Sequence, residues 1–392
     1  MQRLFELILL AVIASIGPVA AEAAVYPCGT DPGFCYRDIG DDGCFDMGVD
    51  VGPINAAIEG SSMFPLVPPP GSLVCPPSVT SLVASASYIR LATPAGSDVL
   101  FYAATVDAVN FEVMSGGEIL LGNTIFCDRT TDLDAQGDIA IERGLDFRDA
   151  FAGWALFVES VAGDVSVGPK ARFLDAGTIS LMAAGGDISL LSKTRMVLGT
   201  ADKLSEADLT IEASGDVVLE SPAVRARGGS HSEISITGAN VTLLGKGKVK
   251  QSSMFSPFRF DMIATAGDLL IEKLKLTTDV PVTLSGTNVT IGVPKNGKTP
   301  KSKIVERRAS NPPVNIVATD TITLDNVDIA SSGDVTIDSS GTTVNVLNGQ
   351  LKGRKATPTI TVSAGAGSTC DLSGTLVKSA TLVTACDTVI GP

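Results

Sequence analysis

Few residues in this chain of 392 are placed to do chemistry, and the densest set is basic. Between Pro294 and Arg308 stand Lys295, Lys298, Lys301, Lys303, Arg307 and Arg308, with Glu306 as the one acid. An earlier stretch, Gly245-Lys-Gly-Lys-Val-Lys250, runs into the aromatic excursion Met254-Phe-Ser-Pro-Phe-Arg-Phe260. Clustered cations on an acidic chain either grip anions, such as an acidic glycan or a lipid headgroup, or stand as solvated, protease-sensitive loops. We read both stretches as loops inserted near 245–262 and 293–313. Leaving neighbouring corners, they would form one exposed face for a surface glycan or a protein partner.

A second candidate is acidic. Asp38-Ile-Gly-Asp-Asp-Gly-Cys-Phe-Asp46 echoes a calcium loop: with Gly43 as the turn glycine, Asp38, Asp42 and Asp46 fall on oxygen-ligand positions. Position 12 is Val49 where a bidentate Glu belongs, so an Asp/Gly-rich turn stapled by Cys44 is the favoured reading and calcium the alternative. No other cofactor is implied. The seven cysteines fall into Cys28, Cys35, Cys44, then Cys75, Cys127, then Cys370, Cys386. Neither a Cys-x-x-Cys pair nor a second histidine offers a zinc site, so disulfides are expected. Cys370 and Cys386 read as a staple at the C-terminal end; pairing among the first five stays open, and an odd count leaves one thiol free or intermolecular.

Catalytic sets are missing. His231 is the only histidine and lies in Gly228-Gly-Ser-His-Ser-Glu233, with no Gly-x-Ser-x-Gly elbow elsewhere. Glu142, Glu212, Glu220, Glu272, Asp325 and Asp338 are expected to point outward singly, as solubilising residues do. Trp154, in Asp146-Phe-Arg-Asp-Ala-Phe-Ala-Gly-Trp-Ala-Leu-Phe-Val158, is read as packing in a short helix or bulged loop ahead of a sugar-stacking platform. Asn240-Val-Thr and Asn288-Val-Thr match the glycosylation sequon but open strands. A formal charge of −14 speaks against nucleic acid as the partner.

What must position these residues is a repeat. Ser332-Gly-Asp-Val-Thr-Ile-Asp338 returns as Gly137-Asp-Ile-Ala-Ile, Gly163-Asp-Val-Ser-Val, Gly186-Asp-Ile-Ser-Leu, Gly215-Asp-Val-Val-Leu and Gly267-Asp-Leu-Leu-Ile. In each copy two apolar residues sit two apart and share one strand face. Each step holds a second strand phrase, such as Leu209-Thr-Ile211 or Ile234-Ser-Ile236, and the steps are unequal in length. Several short strands per irregular step make a coil wound on one core. A transmembrane barrel is disfavoured by five- to six-residue runs and by only 4 Tyr and 1 Trp.

From about residue 73 to 390 this repeat style resembles the right-handed parallel β-helix of pectin-lyase-like and filamentous-haemagglutinin-type repeat proteins. The resemblance implies an all-β, single-stranded parallel solenoid with stacked aliphatic columns, and right-handedness rests on it alone. The Gly-His-Gly signature of polygalacturonase-like enzymes and the Asn-Pro-Asn-Gly secretion signature of haemagglutinin repeats are both absent. Residues 1–23 read as a signal peptide ending Ala21-Glu-Ala23, residues 24–72 as a Cys/Asp/Gly-rich N-terminal cap, and 73–392 as the solenoid. No later apolar run is long enough to span a bilayer, so the mature chain is expected to be secreted, extracellular or periplasmic, and not transmembrane. The expected function is a secreted or cell-surface structural or adhesive module without catalysis. The alternatives are a polysaccharide lyase or hydrolase on the same fold, and a calcium-stabilised binding module.

Overall fold

The alternation of one buried and one outward residue continues through the described part of the chain, and it builds a parallel β-helix. The computed structural model describes residues 110–391, apart from 123–124, 127–129, 142–145, 149–153, 200–206, 229–231, 254–258, 295–297, 308–310 and 355–356. Before residue 110 it describes only Gly96 and short strands between Val25 and Asp107. The signal peptide, the body of the cap, Asp38, Asp42, the side chain of Asp46, Lys295, Arg308, Glu142 and His231 lie outside the described residues.

One turn shows the plan. Asp208–Ala213, Val217–Glu220 and Ala223–Gly228 form three sides, and Ile234–Gly238 then stacks back on Asp208–Ala213 in parallel register. Repetition produces three long parallel ladders, here called first, second and third in chain order within a turn. No helix occurs among the described residues. Parallel pairing along all three ladders is incompatible with a transmembrane barrel, whose strands are antiparallel.

Core positions stack into columns. In the second ladder Ile139, Val165, Ile188, Val217, Val241, Leu269, Val289, Ile322, Val344 and Cys370 succeed one another in register, every one of them buried. Aliphatic side chains suit such columns because β-branched residues fill a pleated surface. Each buried Val, Ile or Leu contributes roughly 1.5–3 kcal/mol of transfer free energy, and this is what makes the coil close on itself.

The Gly-Asp phrase is the corner between the first and second ladders. Asp138 Oδ1 accepts the Asp164 N–H at 2.8 Å, Asp164 accepts that of Asp187 at 2.8 Å, and Asp187 accepts that of Asp216 at 2.7 Å. The line continues as Asn240 Nδ2 donates to Asp216, Asn240 Oδ1 accepts the Asp268 N–H, and Asn288 Nδ2 donates to Asp268. Glycine precedes the aspartate because a Cβ at Gly163, Gly186 or Gly215 would collide with the carboxylate of the turn below. Partners along this line stand 26, 23, 29, 24, 28 and 20 residues apart, so the irregular period is absorbed elsewhere in each turn while the corner stays fixed.

Three expectations are corrected. Trp154 lies in the strand Trp154–Ser160, neither helix nor loop; its side chain is buried in the core and its Nε1 donates to the Leu174 carbonyl at 2.8 Å, so it offers no platform to a sugar. The basic stretch at 245–250 is not an insertion but part of the continuous strand Val241–Ser253, and Lys301–Arg307 spans the strand Ser302–Glu306. Several outward acids are corner fittings: Glu272 accepts the Gly245 N–H, and Asp325 accepts Thr299 Oγ1 and Asn348 Nδ2. At the C-terminal end, Cys370 and Cys386 are joined in a disulfide.

Candidate functional site

The third ladder turns the two basic stretches, and cations far from them in sequence, into one surface. In Val241–Ser253 the period of two puts Lys246, Lys248 and Lys250 outward while Gly247, Val249 and Gln251 are buried. Gly245 permits the corner that leads into this segment: its φ is +68°, and a Cβ there would strike the Ser221 hydroxyl.

Parallel register then sets cation beside cation. One outward row reads Arg172, Arg195, Ala223, Lys248, Lys275, Lys303, each the register partner of the next. The row two residues along reads Val197, Arg225, Lys250, Thr277. Where the first row lapses at Ala223, Arg225 in the same strand supplies the charge, so every turn from Arg172 to Lys303 carries at least one cation. Neighbouring strands lie about 4.8 Å apart, so the step from Arg195 to Lys303 covers roughly 19 Å of the coil axis.

A groove of about 380 Å³ runs across these rows, with Arg195, Arg225, Lys248, Lys250, Lys275 and Arg307 on its walls and Met196, Val224 and Val249 in its floor. No aromatic side chain lines it. Among the described residues none of these six cations forms an ion pair, whereas Lys301, just outside, is held by Asp328 at 2.8 Å. Arg225 Nε is buried without a hydrogen-bond partner, a state that few buried donors in folded proteins keep.

Of the basic residues singled out in the sequence, Lys303 and Arg307 belong to this surface and Lys301 borders it; Lys298 is exposed in the loop leading up to Ser302–Glu306. Arg172, Arg195, Arg225 and Lys275 were not visible as members because each stands in a short pair with one other basic residue two positions away (Lys170, Lys193, Arg227 and Lys273), too sparse to read as a basic stretch. The recurrence of such pairs about one turn apart was the available signal.

Acidic residues gather on another side. Glu112 pairs in register with Asp132, and Asp134 with Glu159, on the first ladder. Burial, reinforced by Asp132, Glu159 and Glu112, pushes the Asp134 carboxyl up to about 6, and burial together with Glu159 also raises Asp132. Among the described residues no group of three or more His, Cys, Asp or Glu side chains could hold a metal ion. No protein-family model, curated protein or solved structure matches this chain.

Proposed function

We propose that this protein is a secreted or cell-surface adhesive rod whose third ladder binds an extended polyanionic glycan along the coil axis. The observation that carries this reading is the stacking of cation on cation from Arg172 to Lys303, with acids in register only at the two ends of the row, Asp146 beside Arg172 and Asp328 beside Lys303, in a chain whose formal charge is −14. Like charges placed directly opposite on neighbouring strands oppose folding. An arrangement that costs stability and is repeated over successive turns is expected at a binding surface, where an anion offsets the repulsion. The Arg225 guanidinium on the groove wall adds a planar group suited to carboxylate oxygens.

A glycan fits better than a nucleic acid, because single-stranded nucleic acids are held largely by stacking on aromatic side chains, and the groove has none. The reading requires no catalysis, and Glu272 and Asp325 are engaged in corner hydrogen bonds. Isothermal titration with dextran sulfate and with a linear polyuronate tests it, with neutral dextran as the control and a single-stranded oligonucleotide as competitor. Salt-sensitive binding of the charged polysaccharides is expected. Equal binding of neutral dextran, preference for the oligonucleotide, or release of unsaturated sugars would each overturn the proposal.

A further inference from the structure

One end of the described coil presents three strand edges. Leu376–Lys378, Thr381–Ala385 and Thr388–Ile390 pair with the turn before them, and among the described residues nothing pairs with their outer edges. Inward positions closed off earlier are uncovered here. Cys370 is fully buried, while its register partner Val389 is 41% exposed. Ile360 and Val362 are likewise buried, but their partners Leu382 and Thr384 are half-buried and exposed. Exposed strand edges are ordinarily protected by charge, proline or a bulge. From Leu376 to Ile390 there is no proline, and the only charged residues are Lys378 and Asp387.

We infer that this end docks on the same end of a second copy of the chain, about a two-fold axis perpendicular to the coil. An axis through Val383 lays the five-residue strand Thr381–Ala385 antiparallel on itself, with Thr381 opposite Ala385. The same axis exchanges the other two sides, so three-residue Leu376–Lys378 meets three-residue Thr388–Ile390 of the second copy. All three edges are then matched in length. An axis through either of the other sides would set a five-residue strand against a three-residue one.

Side chains agree with that register. Val377 comes over Val389 of the second copy, and Leu382 over Thr384, which closes the open core column. Lys378 falls opposite Thr388 and near Asp387 of the second copy, whose Oδ2 accepts the Gly367 and Ser368 N–H groups of its own chain, and the two Lys378 side chains stay apart. The Cys370–Cys386 disulfide ties the last corner to the turn before it and holds the edge in place. The interface is isologous, as closed two-fold pairing requires.

Sedimentation velocity of the 392-residue chain across a concentration series tests the joint, together with two variants. Val383 lies on the axis and faces its own copy. Residues opposite each other in antiparallel strands have Cα atoms about 4.5–5.5 Å apart, within disulfide range. Val383→Cys under mild oxidation is therefore expected to give a covalent dimer whose cross-linked peptide joins residue 383 to residue 383. Lys378→Glu, which sets a carboxylate beside Asp387 of the second copy, is expected to weaken dimerisation about tenfold while leaving the melting temperature of the monomer unchanged. A chain that stays monomeric at every concentration overturns the inference. So does a dimer that neither cross-links at residue 383 nor responds to Lys378→Glu.

Discussion

Replacing Lys275 by glutamine is expected to move stability and binding in opposite directions. Lys275 stands between Lys248 and Lys303 in the first cationic row, one strand spacing from each. Two unit charges about 5 Å apart in water repel by roughly 0.8 kcal/mol, and salt at 0.15 M screens over about 8 Å. Directly opposed like charges in sheets cost roughly 0.2–1 kcal/mol each. Removing the middle cation relieves two such repulsions, so Lys275→Gln should stabilise the fold by about 1 kcal/mol and raise the melting temperature by about 2 °C. Glutamine keeps most of the aliphatic stem, which limits any loss of packing.

The same change removes one cation from the groove. Affinity for dextran sulfate should fall roughly three- to tenfold, and the slope of log affinity against log salt should shrink by about 0.7, by analogy with counterion release from single-stranded polyanions. Arg259 supplies the contrast, because its Nε lies 2.7 Å from Glu233 and 3.1 Å from Asp261, on the first ladder. Arg259→Gln should lower the melting temperature and leave polyanion binding unchanged. Calorimetric melts and titrations on the two variants decide the matter. A fall in melting temperature for Lys275→Gln, or unchanged affinity, would refute the argument that the stacked cations trade stability for binding.

Further outcomes follow from the fold. Trp154→Ala should cost about 3–5 kcal/mol in urea denaturation, because it empties a core position and leaves the Leu174 carbonyl without its donor; Trp154→Phe should cost much less. Asp187→Ala should destabilise by about 1 kcal/mol through loss of the bond to the Asp216 N–H, while Asp187→Asn, which keeps the acceptor oxygen, should recover most of it by the same melt. Asp134, raised from 3.8 to about 6, holds its proton in the folded chain where the unfolded chain has released it, so its contribution to stability is present below pH 4 and lost as pH rises through 6. Asp134→Asn should accordingly raise stability at pH 7 by about 1 kcal/mol, after allowance for solvent screening, and flatten the profile of melting temperature between pH 4 and 7.

The repeated Gly-Asp phrase announced the coil, since a period-two strand after each glycine has few other uses. Its detailed role was hidden: the Asp164 N–H donates to Asp138 and the Asp187 N–H to Asp164 across more than twenty residues, and only stacking shows that each carboxylate serves the turn above. Lys246, Lys248 and Lys250 already carried the alternation of a strand, but Gly245 before them, Gly247 between them and the density of charge made a loop the natural reading. Asn240 and Asn288 matched a modification sequon, whereas their amides are members of the corner line, with Asn240 bonded on both sides. The cationic face was half legible. Its basic stretches could be read directly, but Arg195, Arg225 and Lys275 join them only through register, and register depends on how many residues each turn spends at its variable corner.

That division of labour also explains where a binding surface can sit on such a chain. Inward positions are committed to the columns, and the corner between the first and second ladders is committed to the line of Asp and Asn side chains, so variation at either costs stability. Outward positions on the sides are free, and on the third ladder they carry cations in successive turns while acids gather on the first. Within a Debye length of about 8 Å, each side of the rod presents its own charge to an approaching polymer. On the proposed reading a polyanion is repelled by the acidic side and admitted along the basic one, so the charge of −14, which taken alone argues against an anionic partner, instead confines it to a single stripe.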